Sequence, residues 1–268
     1  MSEIEVAANG SDGETPIQPL LSYVNGPDSL TKAHALFGGP QGVLRSAASA
    51  IADARAGHEQ IHPADPAEQE IRAFADFCRR AGLMLDATSV TSAIDADYIG
   101  HGIEHRVGML RDRERVIKDY DSRLFNEETG EVFYKPAELL FDYLTDHLLA
   151  NELFGDDICL EGAYEESGSV HVVITQPYVK GRHPAWSKLV EALEFQGLEH
   201  ESPGTPKARF WIDGGEAGRL LVTDVHEDNV LLLQSGRVHP IDVHFSFSGR
   251  SARMNALNTL RLLTPTRP

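Results

Sequence analysis

Apolar positions recur along this chain first with the helical period of about 3.6 residues and then with the two-residue period of strands. The rhythm changes near Tyr98. Upstream, Asp28 is placed to cap a segment over 29–37 that Gly38, Gly39 and Pro40 stop. Val43, Ala47, Ala50, Ile51 and Ala54 share one face of a second helix ending near Gly57, before the break Pro63-Ala64-Asp65-Pro66. Ile71, Phe74, Ala75, Cys78 and Leu83 mark a third helix, closed by Gly82. This block offers no catalytic constellation, so its pattern predicts a helical bundle or a brace for the rest of the chain.

From Tyr98 the spacing predicts a glycine-containing turn and a β-hairpin over 98–120, ending in Val116-Ile117-Lys118. After a turn-rich insert at 126–130, a strong helix is expected over 136–154. Pro136 suits its first turn, and Leu139, Leu140, Tyr143, Leu144, His147 and Leu148 form its stripe. Runs at 158–163 and 170–175 read as a strand pair around a turn at 165–168, and 184–195 as an amphipathic helix. Residues 197–218 read as loop and short strand, including Phe210-Trp211-Ile212. Then apolar runs at 220–223 and 230–233 flank a polar loop holding Asp224, His226, Asp228 and Asn229. A turn at Ser235-Gly236 leads into a third run, 238–243, which carries Asp242. The expectation there is a strand, a polar loop and a hairpin, with Gly236 supplying the positive φ of the turn.

A chain of 268 residues makes one large domain or two small ones with ample core. Hydrophobic content of 41% and mean hydropathy of −0.27 describe an ordinary soluble protein. No apolar run reaches the length of a membrane span, and the acidic, Gly- and Ser-containing start reads as a disordered tail over 1–20, not a signal peptide. Two cysteines, Cys78 and Cys159, make neither a disulfide framework nor a metal motif, which fits a reducing, cytoplasmic setting. A net charge of −17 repels nucleic-acid backbone and anionic lipid, so neither is an expected partner.

Asp224 and Asp242 stand at the ends of apolar runs, where a carboxylate is costly unless something positive meets it. Mg²⁺ answers that need, because it takes hard oxygen ligands and the carbonyl of Asn229 fits beside carboxylates. Lys118 closes the apolar pair Val116-Ile117, which sends its ammonium toward a cleft; a lysine snorkelling to the surface is the plainer alternative. Gly100 and Gly102, just before the hairpin, can lay backbone amides over phosphates, although G-x-G alone is usually just a turn. His226 suits a bracing hydrogen bond better than chemistry.

The stretch D-V-H-E-D-N-V-L at 224–231 resembles the catalytic loop of kinase-like phosphotransferases, in the D-x-H-x-x-N form of aminoglycoside-type kinases. Asn229 follows Asp224 by five (229 − 224) and Asp242 follows Asn229 by thirteen (242 − 229), the family's places for loop and metal-binding residues. G-x-E-H-R-V at 102–107, N-E-L-F-G-D-D at 151–157 and T-Q-P-Y-V-K-G at 175–181 are similar, more closely, to the kinase domains embedded in polyvalent proteins of phages and conjugative elements. The resemblance runs over 98–247. It implies an α+β, reduced two-lobe protein-kinase-like fold. A helical region at 21–97 would precede an antiparallel-sheet upper lobe with hinge at 98–181 and a small lower lobe at 182–268.

The resemblance further implies an ATP- and Mg²⁺-dependent phosphotransferase acting on a hydroxyl acceptor, protein or small molecule. Asp224 would orient that hydroxyl and Lys118, in the V-A-I-K slot, would hold the α- and β-phosphates. Gly100 and Gly102 would cover the phosphates, Gln176, Tyr178 and Val179 would meet the adenine at the hinge, and Asn229 and Asp242 would hold Mg²⁺. Glu138 would pair with Lys118, with Asp142 and Glu152 as rivals. The departures are concrete. Val222-Thr223 replaces the loop's His-Gly, Asp242-Val243-His244 replaces D-F-G, and 43 residues (224 − 181) separate hinge from loop. These favour a reduced core and leave a catalytically weak nucleotide-binding module as the second reading. A metal hydrolase using Asp224, His226, His239, Asp242 and His244 is the third.

Overall fold

The computed structural model describes residues 35–58, 65–101, 105–111, 114–121, 123–125, 132–134 and 139–264. The expected acidic tail, most of the segment over 29–37 and the insert at 126–130 lie outside them.

Residues 35–37 are helical, and α1 (Pro40–His58), α2 (Pro66–Ala81) and α3 (Ala87–Ala96) follow. The helical spacing puts Val43, Leu44, Ala47, Ala48 and Ile51 of α1 wholly out of solvent. Asp65 caps α2 by accepting from Ala67 N at 3.0 Å, with Pro66 in the first turn. Gly82 ends it at φ 70°, and Leu83 N donates to Cys78 O at 2.8 Å. The pattern alone gave no separate signal for α3, which has only Val90 and Ile94 buried and is capped by Asp86.

Next come β1 (Tyr98–His101), β2 (His105–Leu110), β3 (Arg115–Asp121), the short pair β4 (Arg123–Phe125) and β5 (Val132–Tyr134), helix α4 (Leu140–Phe154), β6 (Cys159–Glu166) and β7 (Ser169–Pro177). Five of these strands form an antiparallel sheet in the order β1-β2-β3-β7-β6. The stripe expected on α4 is buried from Leu140 onward, together with Phe141, Thr145, Asp146, Leu149 and Ala150, while Leu139 is the half-buried N-cap. Burial on so many sides follows from its central place. Helices α1 and α2 pack on it, and Tyr143 stacks on Tyr120 of β3 with ring centroids 4.0 Å apart.

The leading helices share this core, and two contacts tie them in. The backbone after α2 joins the edge of β6, with Ala163 N donating to Leu83 O at 3.0 Å and Leu85 N to Ala163 O at 2.7 Å. Gly162 makes that approach possible: at φ 152°, a Cβ there would meet Leu83 O at 2.2 Å. Glu70, fully buried on α2, accepts from Arg55 and Arg250 at 2.8 Å each and from Phe141 N at 2.8 Å. Its carboxylate thus caps α4 from a neighbouring helix, where the helix dipole favours an anion.

The remainder is α5 (Trp186–Phe195), β8 (Glu199–His200), β9 (Phe210–Asp213), β10 (Arg219–Thr223), β11 (Val230–Leu232), β12 (Val238–Pro240), β13 (His244–Ser246) and α6 (Arg250–Thr259). Strands order as β13-β10-β9-β8, and β11-β12 forms a hairpin between β10 and β13. The run at 238–243, expected as one strand, is a strand only to Pro240. Asp242 sits in the irregular connection after it with its side chain 40% exposed.

Candidate active site

Strand pairing brings the two isolated aspartates to one place. Thr223 of β10 pairs with His244 of β13, so Asp224, just past the first strand, and Asp242, just before the second, leave the sheet at the same end. The loop between Asp224 and Asn229 closes on itself. Asn229 Nδ2 donates to the Asp224 backbone oxygen at 3.0 Å and to its Oδ2 at 2.8 Å. Asp224 takes φ 61°, a left-handed conformation uncommon outside glycine that these bonds hold in place. His226 braces the loop as expected: its Nδ1 accepts from Asp228 N at 3.3 Å, and its Nε2 lies 3.5 Å from Asp224 Oδ1. The Asn229 backbone oxygen accepts from Ile241 N at 2.9 Å, which ties the loop to the segment carrying Asp242.

Lys118 reaches this segment from the other sheet. It lies in β3 between Val107 of β2 and Ile174 of β7 and is 7% exposed. Its Nζ donates to Ile241 O at 3.0 Å and stands 3.9 Å from Asp242 Oδ1. Burial works to raise the Asp242 carboxyl, but Lys118 first, then His105, His244 and His147, outweigh it and hold the group below the usual carboxylate range. His147 of α4 is itself kept neutral by burial, reinforced by the nearby positive Lys118.

A cleft of about 410 Å³ lies over these residues, within the range of small-molecule sites. It is lined by Val107, Val116 and Lys118 of β2 and β3, by Gln176, Pro177, Tyr178 and Val179 at and after the end of β7, and by Asn229, Leu231, Ile241 and Asp242. Lys118, Gln176, Tyr178, Val179, Asn229 and Asp242 therefore meet in one cavity, and Asp224 is bonded to one of its walls.

A family model described as Serine/Threonine/Tyrosine Kinase found in polyvalent proteins matches residues 67–248. The chain belongs to this family. Neither a curated protein nor a solved structure matches it. The match begins within α2, so the family's shared region takes in part of the helical block as well as both sheets. Membership makes the chain a kinase-type phosphotransferase in general terms, and the α+β architecture with antiparallel sheets is compatible with a kinase-like fold.

Two of the expected site residues lie outside the described residues, and Gly100 does not take the turn expected of it. Gly100 lies within strand β1 opposite Val107 and not in a turn, because the β1-β2 pairing extends through it. Gly102 and Glu138 lie outside the described residues. Of the rivals for Lys118, Asp142 pairs with Arg253 at 3.1 Å and Glu152 is solvent-exposed; among the described residues the carboxylate beside the lysine is Asp242. The hydrolase set is dispersed: His239 pairs with Asp156 at 2.7 Å and His244 with Asp146 at 3.3 Å. Among the described residues no cluster of three or more His, Cys, Asp or Glu suits a metal ion, and no helix is long and apolar enough to cross a membrane.

Positional reasoning missed the anchor behind Asp242. Arg253 of α6 joins Asp146 of α4 at 2.6 Å and Phe245 O at 2.6 Å, fixing β13 against the helix. An acid within the apolar stripe of 136–154 was the available signal. His183, whose Nδ1 lies 2.8 Å from Glu227 O and 3.2 Å from Val230 O, clamps the far end of the loop and had no sequence signal.

Proposed function

We propose that the cleft binds ATP with Mg²⁺ and transfers the γ-phosphoryl group to a hydroxyl acceptor. The observation that carries this reading is the convergence of Lys118, Asn229, Asp242 and the 176–179 segment on one cavity. The donor set suits the metal. With Asn229 Nδ2 committed to Asp224, its Oδ1 is the end that can face a cation, beside a carboxylate kept ionised. When bound, Mg²⁺ would neutralise charge on the β- and γ-phosphates.

The chain's own residues position the reactants. The apolar walls Val107 and Val116 take the base against the hinge, and Lys118 directs its ammonium at the α- and β-phosphates. Asp224, exposed and rotated by its left-handed backbone, accepts the proton of the acceptor hydroxyl. The freed oxygen bonds to the γ-phosphorus while the bond from that phosphorus to the β–γ bridging oxygen breaks, and ADP leaves with the electron pair. On this reading residues 98–181 act as the upper lobe and hinge, 182–268 as a reduced lower lobe, and 21–97 as the brace behind α4.

Incubating the chain with ATP and Mg²⁺, followed by mass spectrometry for ADP and protein-bound phosphate, tests it. Turnover that vanishes in Asp224→Asn supports the reading. Mg²⁺-dependent ATP binding without turnover identifies the second reading, a nucleotide-binding module. The Val243-His244 pair after Asp242 favours that outcome.

A further inference from the structure

Next to the cleft lies a second cavity, of about 720 Å³. Gly181 lines both, and so does β11: Leu231 faces the cleft while Leu232 lines the second cavity, as alternation along a strand directs. Charge sets this cavity apart. Lys180, Arg182 and Lys188 line it and no Asp or Glu does, in a chain with 41 acidic residues against 24 Lys and Arg. All three cations are exposed. The side chains of Lys180 and Arg182 make no hydrogen bond or ion pair with another described residue. Lys188 pairs with Glu191 at 2.9 Å, but both side chains are more than half exposed, so that pairing is exchanged at little cost.

Backbone contacts hold these cations in place. Arg182 N donates to Leu232 O at 3.2 Å, and Leu232 N donates to Arg182 O at 2.8 Å. The residue before Arg182 presses so close to β11 that a Cβ on Gly181 would meet Leu231 Cβ at 2.9 Å. Lys180 and Arg182 thus flank a fixed point. Lys188 stands in the first turn of α5, where a cation opposes the helix dipole. Like charges gathered without a counter-charge repel one another, and an anion bound among them removes that repulsion. Leu232 and Leu233 add apolar surface that a small inorganic anion leaves unused, and the net charge of −17 disfavours a nucleic acid. A peptide with carboxylates on aliphatic stems uses both the cations and the leucines.

We infer that this cavity docks an acidic peptide segment of a partner protein, its carboxylates pairing with Lys180, Arg182 and Lys188. The cavity lies toward the turn of the β11-β12 hairpin, at Gln234 and Gly236, whereas Asp224 and Asp242 stand at the hairpin's other end. A docked segment therefore leaves the place of phosphoryl transfer clear. Docking needs no nucleotide, so it stands or falls apart from the phosphotransfer reading; on that reading, a segment held there tethers an acceptor protein beside the cleft.

Fluorescence anisotropy of the full chain, at low salt and without nucleotide, tests this with a labelled peptide of alternating Glu and Ala and its Gln counterpart. The Glu peptide is expected to bind roughly 10-fold or more tightly than the Gln peptide, with an affinity that falls as salt is raised. Lys180→Gln combined with Arg182→Gln should weaken it roughly 3- to 30-fold, the range for two exposed ion pairs. Arg80→Gln combined with Lys207→Gln removes the same charge from exposed positions outside the cavity and should leave the affinity unchanged. The comparison of the two peptides uses the wild type alone and holds if a variant does not fold. Equal binding of both peptides, or equal weakening by the two double variants, overturns the docking site. So does displacement of the Glu peptide by inorganic phosphate at matched ionic strength, or tighter binding of single-stranded DNA.

Discussion

Replacing Lys118 with Met removes one ammonium and keeps a stem of nearly the same reach in a buried position. The stability terms oppose one another. The bond from Nζ to Ile241 O, 3.0 Å, is worth about 0.5–1.5 kcal/mol, and the half-buried carbonyl can take water in its place. The pair with Asp242 spans 3.9 Å to a carboxylate 40% exposed, which limits it to about 0–1 kcal/mol. Against these stands relief from holding a charge at 7% exposure. The net change should stay within about 1 kcal/mol, or 2–4 °C in Tm for a chain of this size. Nucleotide binding should suffer far more. Each charge-assisted contact to a phosphate oxygen contributes roughly 1.5–3 kcal/mol, so the affinity for ATP with Mg²⁺ should fall about 10- to 100-fold for one contact and further for two. Calorimetry for the affinity, ADP formation for the rate and a thermal melt for the fold separate the two effects. A folded Met variant with full affinity and turnover would refute the placement of phosphates beside Lys118 and, with it, the kinase use of the five-stranded sheet.

Asp242→Asn preserves volume and removes the carboxylate proposed to hold Mg²⁺, so Mg²⁺-dependent nucleotide binding should disappear with Tm unchanged; undiminished affinity would exclude Asp242 as a ligand. Glu70→Ala leaves Arg55 and Arg250 facing each other without their shared carboxylate and uncaps α4, for an expected loss of about 3–5 kcal/mol in urea unfolding. A change below about 1 kcal/mol would mean that water satisfies both arginines. Gly162→Ala should destabilise by at least about 2 kcal/mol, since its Cβ would fall 2.2 Å from Leu83 O, and a wild-type melting curve would contradict that approach. Burial opposes charge on His171, but the Asp119 carboxylate at 3.0 Å outweighs it and raises the imidazole above its usual value. Its stabilisation is therefore complete below about pH 6.5 and is lost as pH rises through the folded value, and His171→Gln should flatten that decline. A stability profile identical in the variant would show that the pair does not titrate with folding.

Short spacing and periodicity carry the local features of this chain. The five residues from Asp224 to Asn229 are close enough for one loop to close, and it does so through the Asn229 amide. The helical faces of α1, α2 and α4 follow from intervals of three and four. The positions of Pro66 and Gly82 mark real ends, because capping chemistry is local. The match of α3 and α6 to no strong pattern has the same cause in reverse: ten-residue helices with two or three buried side chains depend on the surfaces they meet. Long-range packing alone brings a described carboxylate beside Lys118. Asp242 is 124 residues away (242 − 118) and arrives there through the β10-β13 register and the Arg253 anchor on α4. The same packing also decided that the leading helices share one core with the sheets. Burial and charge pairing are properties of surfaces that meet in space, and residues this far apart in the chain carry no local trace of which partner they will find.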